Sequence, residues 1–203
     1  MPDNGERPLS LIEWVVLCIA CEKPTYGSVI AGLFSRGGSL GRVWQVSRAG
    51  VYRAIERLER LGLVRTLGPQ RAEDAPPHWM ITATPAGRKA ARVWLRTPVA
   101  HGREVRSELM IKLALLDRAG DNPQDLLRRQ LAAFGPLAAA LADRVLATTG
   151  TEHTLALWRH EMMSGTIEFL DQAAWQAELA AASRPGSHPR SHQLPLPPPR
   201  KGS

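Results

Sequence analysis

The stretch Ser47-Arg48-Ala49-Gly50-Val51-Tyr52-Arg53-Ala54-Ile55-Glu56-Arg57-Leu58-Glu59-Arg60-Leu61-Gly62 decides the fold. Ser47 suits an N-cap, because its hydroxyl accepts one of the unpaired first N–H groups of a helix. Gly62 suits the left-handed residue that ends many helices. Between these caps Val51, Ala54, Ile55, Leu58 and Leu61 recur at the i, i+3, i+4, i+7 spacing of one buried face. Arg48, Tyr52, Arg53, Arg57 and Arg60 fall on the opposite side. Such a helix seats its apolar flank on a small core and offers guanidinium groups to phosphates and base edges. The pattern predicts a recognition helix for DNA.

A two-stranded wing comes directly after this helix. Leu63-Val64-Arg65-Thr66-Leu67 reads as a strand, Gly68 to His78 as a polar, proline-containing tip, and Trp79-Met80-Ile81-Thr82-Ala83 as the alternating return strand. Thr84 then N-caps a fourth helix with Pro85 at its first position. Upstream, a first helix is expected from about Leu9 to Cys21, broken by Lys23-Pro24-Thr25-Tyr26-Gly27. A short second helix, Ser28 to Phe34, and a glycine-rich loop, Gly37 to Gly41, come next. Trp14 and Trp79 are expected in the core of this unit.

Beyond about Val99 the pattern changes. Glu104 to Asp117 reads as a helix with Leu109, Ile111, Leu113 and Leu116 around its circumference, broad enough to be buried on two sides. Leu127, Leu131, Phe134, Ala138, Leu141 and Val145 form a 3,4-spaced seam, with a bend expected at Gly135-Pro136. A second seam runs through Leu155, Trp158, Met162, Gly165 and Phe169, and Trp175 is expected in helix packing. Seams of this length suit a packed helical pair or an intersubunit bundle. From Ser183 on, Pro, Ser, His and Arg dominate, so a disordered basic tail is expected. The fold class is therefore mainly α. A winged helix-turn-helix domain is expected over 8–97, a C-terminal helical dimerisation domain over 98–182, and the tail over 183–203.

The 203 residues carry 26 Lys and Arg against 19 Asp and Glu, a formal charge of +7, and arginine far outnumbers lysine. Arginine makes the bidentate contacts that phosphate and guanine accept, which favours a polyanionic partner. The start of the chain lacks the basic region and cleavage site of a signal peptide. Its longest apolar stretch, Trp14 to Cys21, is about half of the roughly 20 residues a membrane span needs. A cytoplasmic protein with no membrane partner is expected. Cys18 and Cys21 lie three apart within that apolar helix and read as small hydrophobes, with no second ligand pair to make a zinc site.

No catalytic constellation, metal set or cofactor loop is found, so an enzyme is not expected. His153 and His160 sit seven apart with Glu161 beside the second, and nothing completes a metal or nucleophile set. Gly37 to Gly41 lacks the Lys-Ser/Thr ending of a phosphate loop.

The residues resemble the PadR family of transcriptional regulators. The motifs are Pro24-Thr25-Tyr26-Gly27, Ser47 with Val51-Tyr52, Leu58-Glu59-Arg60-Leu61-Gly62-Leu63-Val64, and Thr84-Pro85-Ala86-Gly87-Arg88, in that order. The likeness runs from about Pro8 to Thr97 and more weakly to Glu178. It implies a homodimer whose C-terminal helices hold two wings apart, acting as a repressor that a small ligand releases. Two departures stand out. Ser28 replaces an aromatic after the glycine of the second helix, and Pro76-Pro77-His78 occupies the basic end of the wing, with Arg71 the nearest cation.

For double-stranded DNA with a palindromic operator, the expected contacts are Ser47 and the N–H groups near Arg48 and Ala49 on a phosphate. Gly50 would permit close approach, and Tyr52 and Arg53 would reach backbone or base edges. Arg57 is placed further back, where pairing with Glu56 or solvent competes with DNA. Lys23 and Tyr26 would reach phosphate across the groove, with core packing as the competitor for Tyr26, and Arg71 would serve the wing. Trp94, Met110 and Trp158 are the candidates for a small aromatic effector, against plain core packing. A second reading is kept beside this one: a winged-helix protein-interaction module without specific DNA binding.

Overall fold

The computed structural model describes residues 7–70 and 78–183. In chain order these form α1 (Leu11–Glu22), β1 (Thr25–Tyr26), α2 (Gly27–Leu33), α3 (Arg48–Arg60), β2 (Val64–Gln70), β3 (His78–Ala83) and α4 (Pro85–Arg96). A 3-10 turn (Gly102–Glu104) and a π-helical turn (Val105–Leu109) lead into α5 (Met110–Ala119), α6 (Gln124–Ala147) and α7 (Gly150–Ala182). Among the described residues no helix is long and apolar enough to cross a membrane.

Two compact units emerge. One takes in the chain up to Leu95 together with Arg106–Ala119; the other takes in Arg96–Val105 and the chain from Gly120 onward. The first is a winged helix-turn-helix. Its core is built from Val15, Val16 and Ile19 of α1, Ile30 and Phe34 at α2, Val51, Ile55 and Leu58 of α3, and Ile81 of the sheet. The sheet has the order β1-β3-β2 and is antiparallel throughout, with Thr66 opposite Ile81 and Leu67 opposite Met80. β1, which the sequence leaves as a break between helices, pairs Thr25 with Ile81 and Tyr26 with Met80. The β2–β3 register shifts between Leu67 and Gln70, so β2 runs three residues past its expected end at Leu67.

Local capping is as the sequence dictates. Ser47 Oγ accepts the Gly50 N–H at 3.2 Å, and Gly62 takes φ +68° just after α3. Thr84 Oγ1 accepts the Gly87 N–H at 3.1 Å and donates to the Gly62 carbonyl at 2.8 Å, so one hydroxyl caps α4 and ties it to the entry of the wing.

The expected boundary near residue 97 differs from the observed division at α5. Ile111 and Leu115 complete the core of the winged unit, and Leu109 and Leu116 are buried as well. Lys112, also buried, places its ammonium 2.7 Å from Glu108 and 4.7 Å from the centre of the Trp94 ring. Trp94 in turn stacks on Trp14, centroid to centroid 5.4 Å and nearly parallel. An ammonium with both a carboxylate and an aromatic face is compensated for its burial. Trp79, by contrast, is not core: 56 % of it is exposed. Both cysteines are free thiols, Cys18 buried and Cys21 half-buried, and burial raises the pKa of each, keeping them protonated.

The second unit is a helical hairpin. α6 turns Leu127, Leu131, Phe134, Ala138, Leu141 and Val145 inward, as its seam predicts, and stays helical through Pro136. The α7 seam is different. Ala156, Met163, Leu170 and Ala174 are the buried positions, whereas Leu155, Trp158, Met162 and Phe169 are left exposed. The connecting segment after α4 is latched to this unit. The Gln130 amide, fully buried, accepts the Val99 N–H at 2.7 Å and donates to the Val99 carbonyl at 3.0 Å.

Candidate nucleic-acid interface

α3 positions the cationic face. With Val51, Ala54, Ile55 and Leu58 buried, the helix is fixed in rotation, and Arg48, Ala49, Tyr52, Arg53 and Arg60 are turned outward. The first N–H groups of any helix lack intrahelical acceptors. Ser47 takes that of Gly50, so the Arg48 and Ala49 amides are the ones presented at the positive end of the helix dipole. Arg48 lies against the Tyr52 ring, its guanidinium 5.7 Å from the ring centre and Nη2 3.5 Å from the hydroxyl oxygen.

Tyr52 is set by its neighbour on α2. A Cβ at Gly27 would stand 2.9 Å from Tyr52 Cε1 and 3.1 Å from Ile55 Cδ1. The ring therefore rests on bare backbone. Gly27→Ala is expected to tilt this partly exposed ring while costing the fold about 1–3 kcal/mol. A thermal melt lowered by about 2–12 °C, together with DNA affinity reduced about tenfold at a temperature where both proteins are folded, is the expected pair of results.

Two expectations about α3 need correction. Gly50 does not offer an open approach. A Cβ there would meet Ile12 Cδ1 and Val46 Cγ1, each at 3.2 Å, so its small size serves packing within the protein. Arg57 does not face outward. Its Nη1 lies 2.7 Å from Glu13 Oε2, Nη2 donates to the Arg7 carbonyl, and only 12 % of its side chain is exposed. Glu13 itself is buried, and it also accepts from the Arg7 guanidinium at 2.7 Å and the Ser10 N–H at 2.7 Å. Burial alone would raise the pKa of this carboxyl. The bonds from Arg7, the Ser10 amide and Arg57 overrule it and bring it to about 2. Arg57 is thus a structural cation that binds α3 to the start of α1.

Lys23 is exposed at the end of α1, and Tyr26 is half-exposed where β1 meets α2. Arg71 lies outside the described residues. Arg65, exposed on β2, is a wing cation that the sequence pattern alone does not single out. Its signal is its place in a strand otherwise apolar on one face. On the other face of that strand, Thr66 Oγ1 donates to Glu59 of α3 at 2.6 Å, joining wing and helix.

The candidate effector residues divide between the units. Trp94 and Met110 belong to the winged unit, where Trp94 is packed between Trp14 and Lys112. Trp158 lies in the helical hairpin, 60 % exposed. There it lines a cleft of about 440 Å³ with Gly102, Arg103, Leu141, Arg159, Met162, Met163 and Thr166.

No protein-family model and no curated protein matches the chain. Solved structures do. The chain is similar to several of them in fold. It is similar to Bacillus subtilis PadR in complex with operator DNA, at 17% identity and a TM-score of 0.43, over 82% of this chain and 99% of that one. A PadR-like regulator from Bacillus cereus is similar at 17% identity and a TM-score of 0.36, over 83% and 99% of the two chains. The Vibrio cholerae virulence activator AphA is similar at 24% identity and a TM-score of 0.34, over 86% and 100%.

Proposed function

We propose that this protein is a PadR-like transcriptional regulator that binds double-stranded DNA in a sequence-specific manner. One observation carries the reading. α3 is held by a buried apolar flank while its capped N-terminus, Tyr52, Arg48 and Arg53 stand exposed on the outer side. Inserted N-terminus first into a major groove, such a helix places two amides and a guanidinium at phosphates and aims Arg53 and Tyr52 at base edges. Binding should be ionic in origin. A dimer that neutralises about 6–10 phosphates loses about 10³–10⁵ in affinity between 50 and 200 mM salt. Anisotropy titrations on the protein's own upstream region, against random duplex, test this. Absence of salt-sensitive binding to either duplex would leave the alternative, a protein-interaction module.

The working form in this proposal is a homodimer on a palindromic operator with half-sites about 34 Å apart. Within the region 98–182, the α6–α7 hairpin supplies its interface. Leu155, Trp158, Met162 and Phe169 support that assignment, because they form an apolar strip along α7 that the hairpin itself does not cover. Trp158→Glu is expected to give a single-chain mass by light scattering at micromolar concentration, where wild type gives twice that mass. A wild-type single-chain mass would refute the dimer. The regulator acts as a cytoplasmic repressor, released when a small aromatic effector occupies the cleft beside Trp158. Isothermal titration with a panel of aromatic acids and amines, in the presence and absence of operator, tests that release.

A further inference from the structure

Trp79 stands on the strand that returns from the wing. Strand alternation puts Trp79, Ile81 and Ala83 on one face of β3. Ile81 and Ala83 are buried, so Trp79 points to the core side of the sheet but lies past the edge of the core. The register identifies what adjoins that side. Ile81 is opposite Thr66, and the Thr66 hydroxyl is bonded to Glu59 of α3. The exposed indole therefore projects from the wing face that the Thr66–Glu59 bond joins to the recognition helix. The stretch between the strands carries one cation, Arg71, against Glu73 and Asp74, and so makes a poor ligand for phosphate.

We infer that Trp79 is the wing's contact with DNA, an uncharged ring laid against the deoxyribose wall of the minor groove flanking the half-site. This rests on the DNA-binding reading above. The chemistry fits: groove walls present sugar C–H groups to an apolar side chain, and an indole N–H finds acceptors on phosphate or on the groove floor. Because the ring carries no charge, its contribution is independent of counterion release, which separates it from the arginines.

The test uses the full chain on an operator duplex. Hydroxyl-radical cleavage reports sugars in the minor groove, and methylation of guanine N7 reports the major groove. Trp79→Ala is expected to weaken binding about tenfold, one lost aromatic anchor, with the salt slope unchanged. It should lose the sugar protection beside each half-site and keep the N7 protection. Trp79→Phe, which retains a ring, should retain the sugar protection. Circular dichroism confirms that both variants are folded, as substitution of a largely exposed residue allows. Wild-type affinity and footprint in Trp79→Ala would overturn the inference and leave the regulator reading intact. Loss of both protections together, or a changed salt slope, would overturn it too, by assigning Trp79 a structural role. A wild-type protein without salt-sensitive DNA binding would end both.

Discussion

Replacing Glu13 by alanine is expected to destabilise the winged unit by about 3–5 kcal/mol, the cost of leaving a buried ionic partner alone. The carboxylate gathers Arg7, the Ser10 amide and Arg57, and Arg57 has no exposed route to water comparable to that of Arg53. With urea slopes of about 1–3 kcal/mol per M for a small domain, this one change should lower the midpoint of urea unfolding by about 1–5 M. Arg57→Met should cost less than Glu13→Ala, because the remaining carboxylate keeps Arg7 and the Ser10 amide. The same cluster predicts an acid limb. The Glu13 pKa falls from 4.5 in the unfolded chain to about 2 in the fold. The stabilisation is therefore complete above about pH 4.5 and is lost as pH falls through about 2. It amounts to about 2–3 kcal/mol once the share of the solvent-exposed Arg7 is screened. Unfolding free energies measured between pH 2 and 6 should rise with pH in wild type and flatten in Glu13→Gln.

Tyr52→Ala combined with Arg53→Ala is expected to abolish discrimination between operator and random duplex. A well-placed base contact is worth about 1–3 kcal/mol, so two such contacts in each half-site represent most of a typical specificity ratio of about 10³–10⁷. Affinity for random DNA should fall much less, since Arg48 and the amides at the start of α3 are untouched. The salt slope should stay close to that of wild type, because the two lost contacts are to base edges and the phosphate ligands remain. Unchanged operator preference in the double variant would remove these two residues from the readout surface.

How far the sequence could be read depends on the range of the interactions involved. The caps of α3 and α4 are legible because Ser47, Gly62 and Thr84 act on residues at most a few positions away. β1 is invisible, for two residues carry no alternation, and only pairing with β3 makes them a strand. The inward turn of Arg57 is hidden for a related reason. Its partner lies 44 positions earlier, and an acid within an apolar run reads as the wet side of a helix. α7 offers two heptads one residue out of phase. Leu155, Met162 and Phe169 carry the larger side chains, and pattern reading selects them. Ala156, Met163 and Leu170 are the buried set, where a small residue lets α6 approach. Trp79 reads as core because large aromatics on alternating strands usually are; the strand simply outruns the core beneath it.

The division of the chain at Leu95, Val105 and Ala119 has a practical consequence for anyone who cuts it. The polypeptide crosses from one body to the other three times, so the two are stitched together rather than strung like beads. A chain ended after Thr97 would carry every helix and strand expected of a winged domain, yet it would lack α5. The faces that receive Ile111 and Leu115 would then be open to water. A nick in any single crossing, conversely, would leave the other two threads holding.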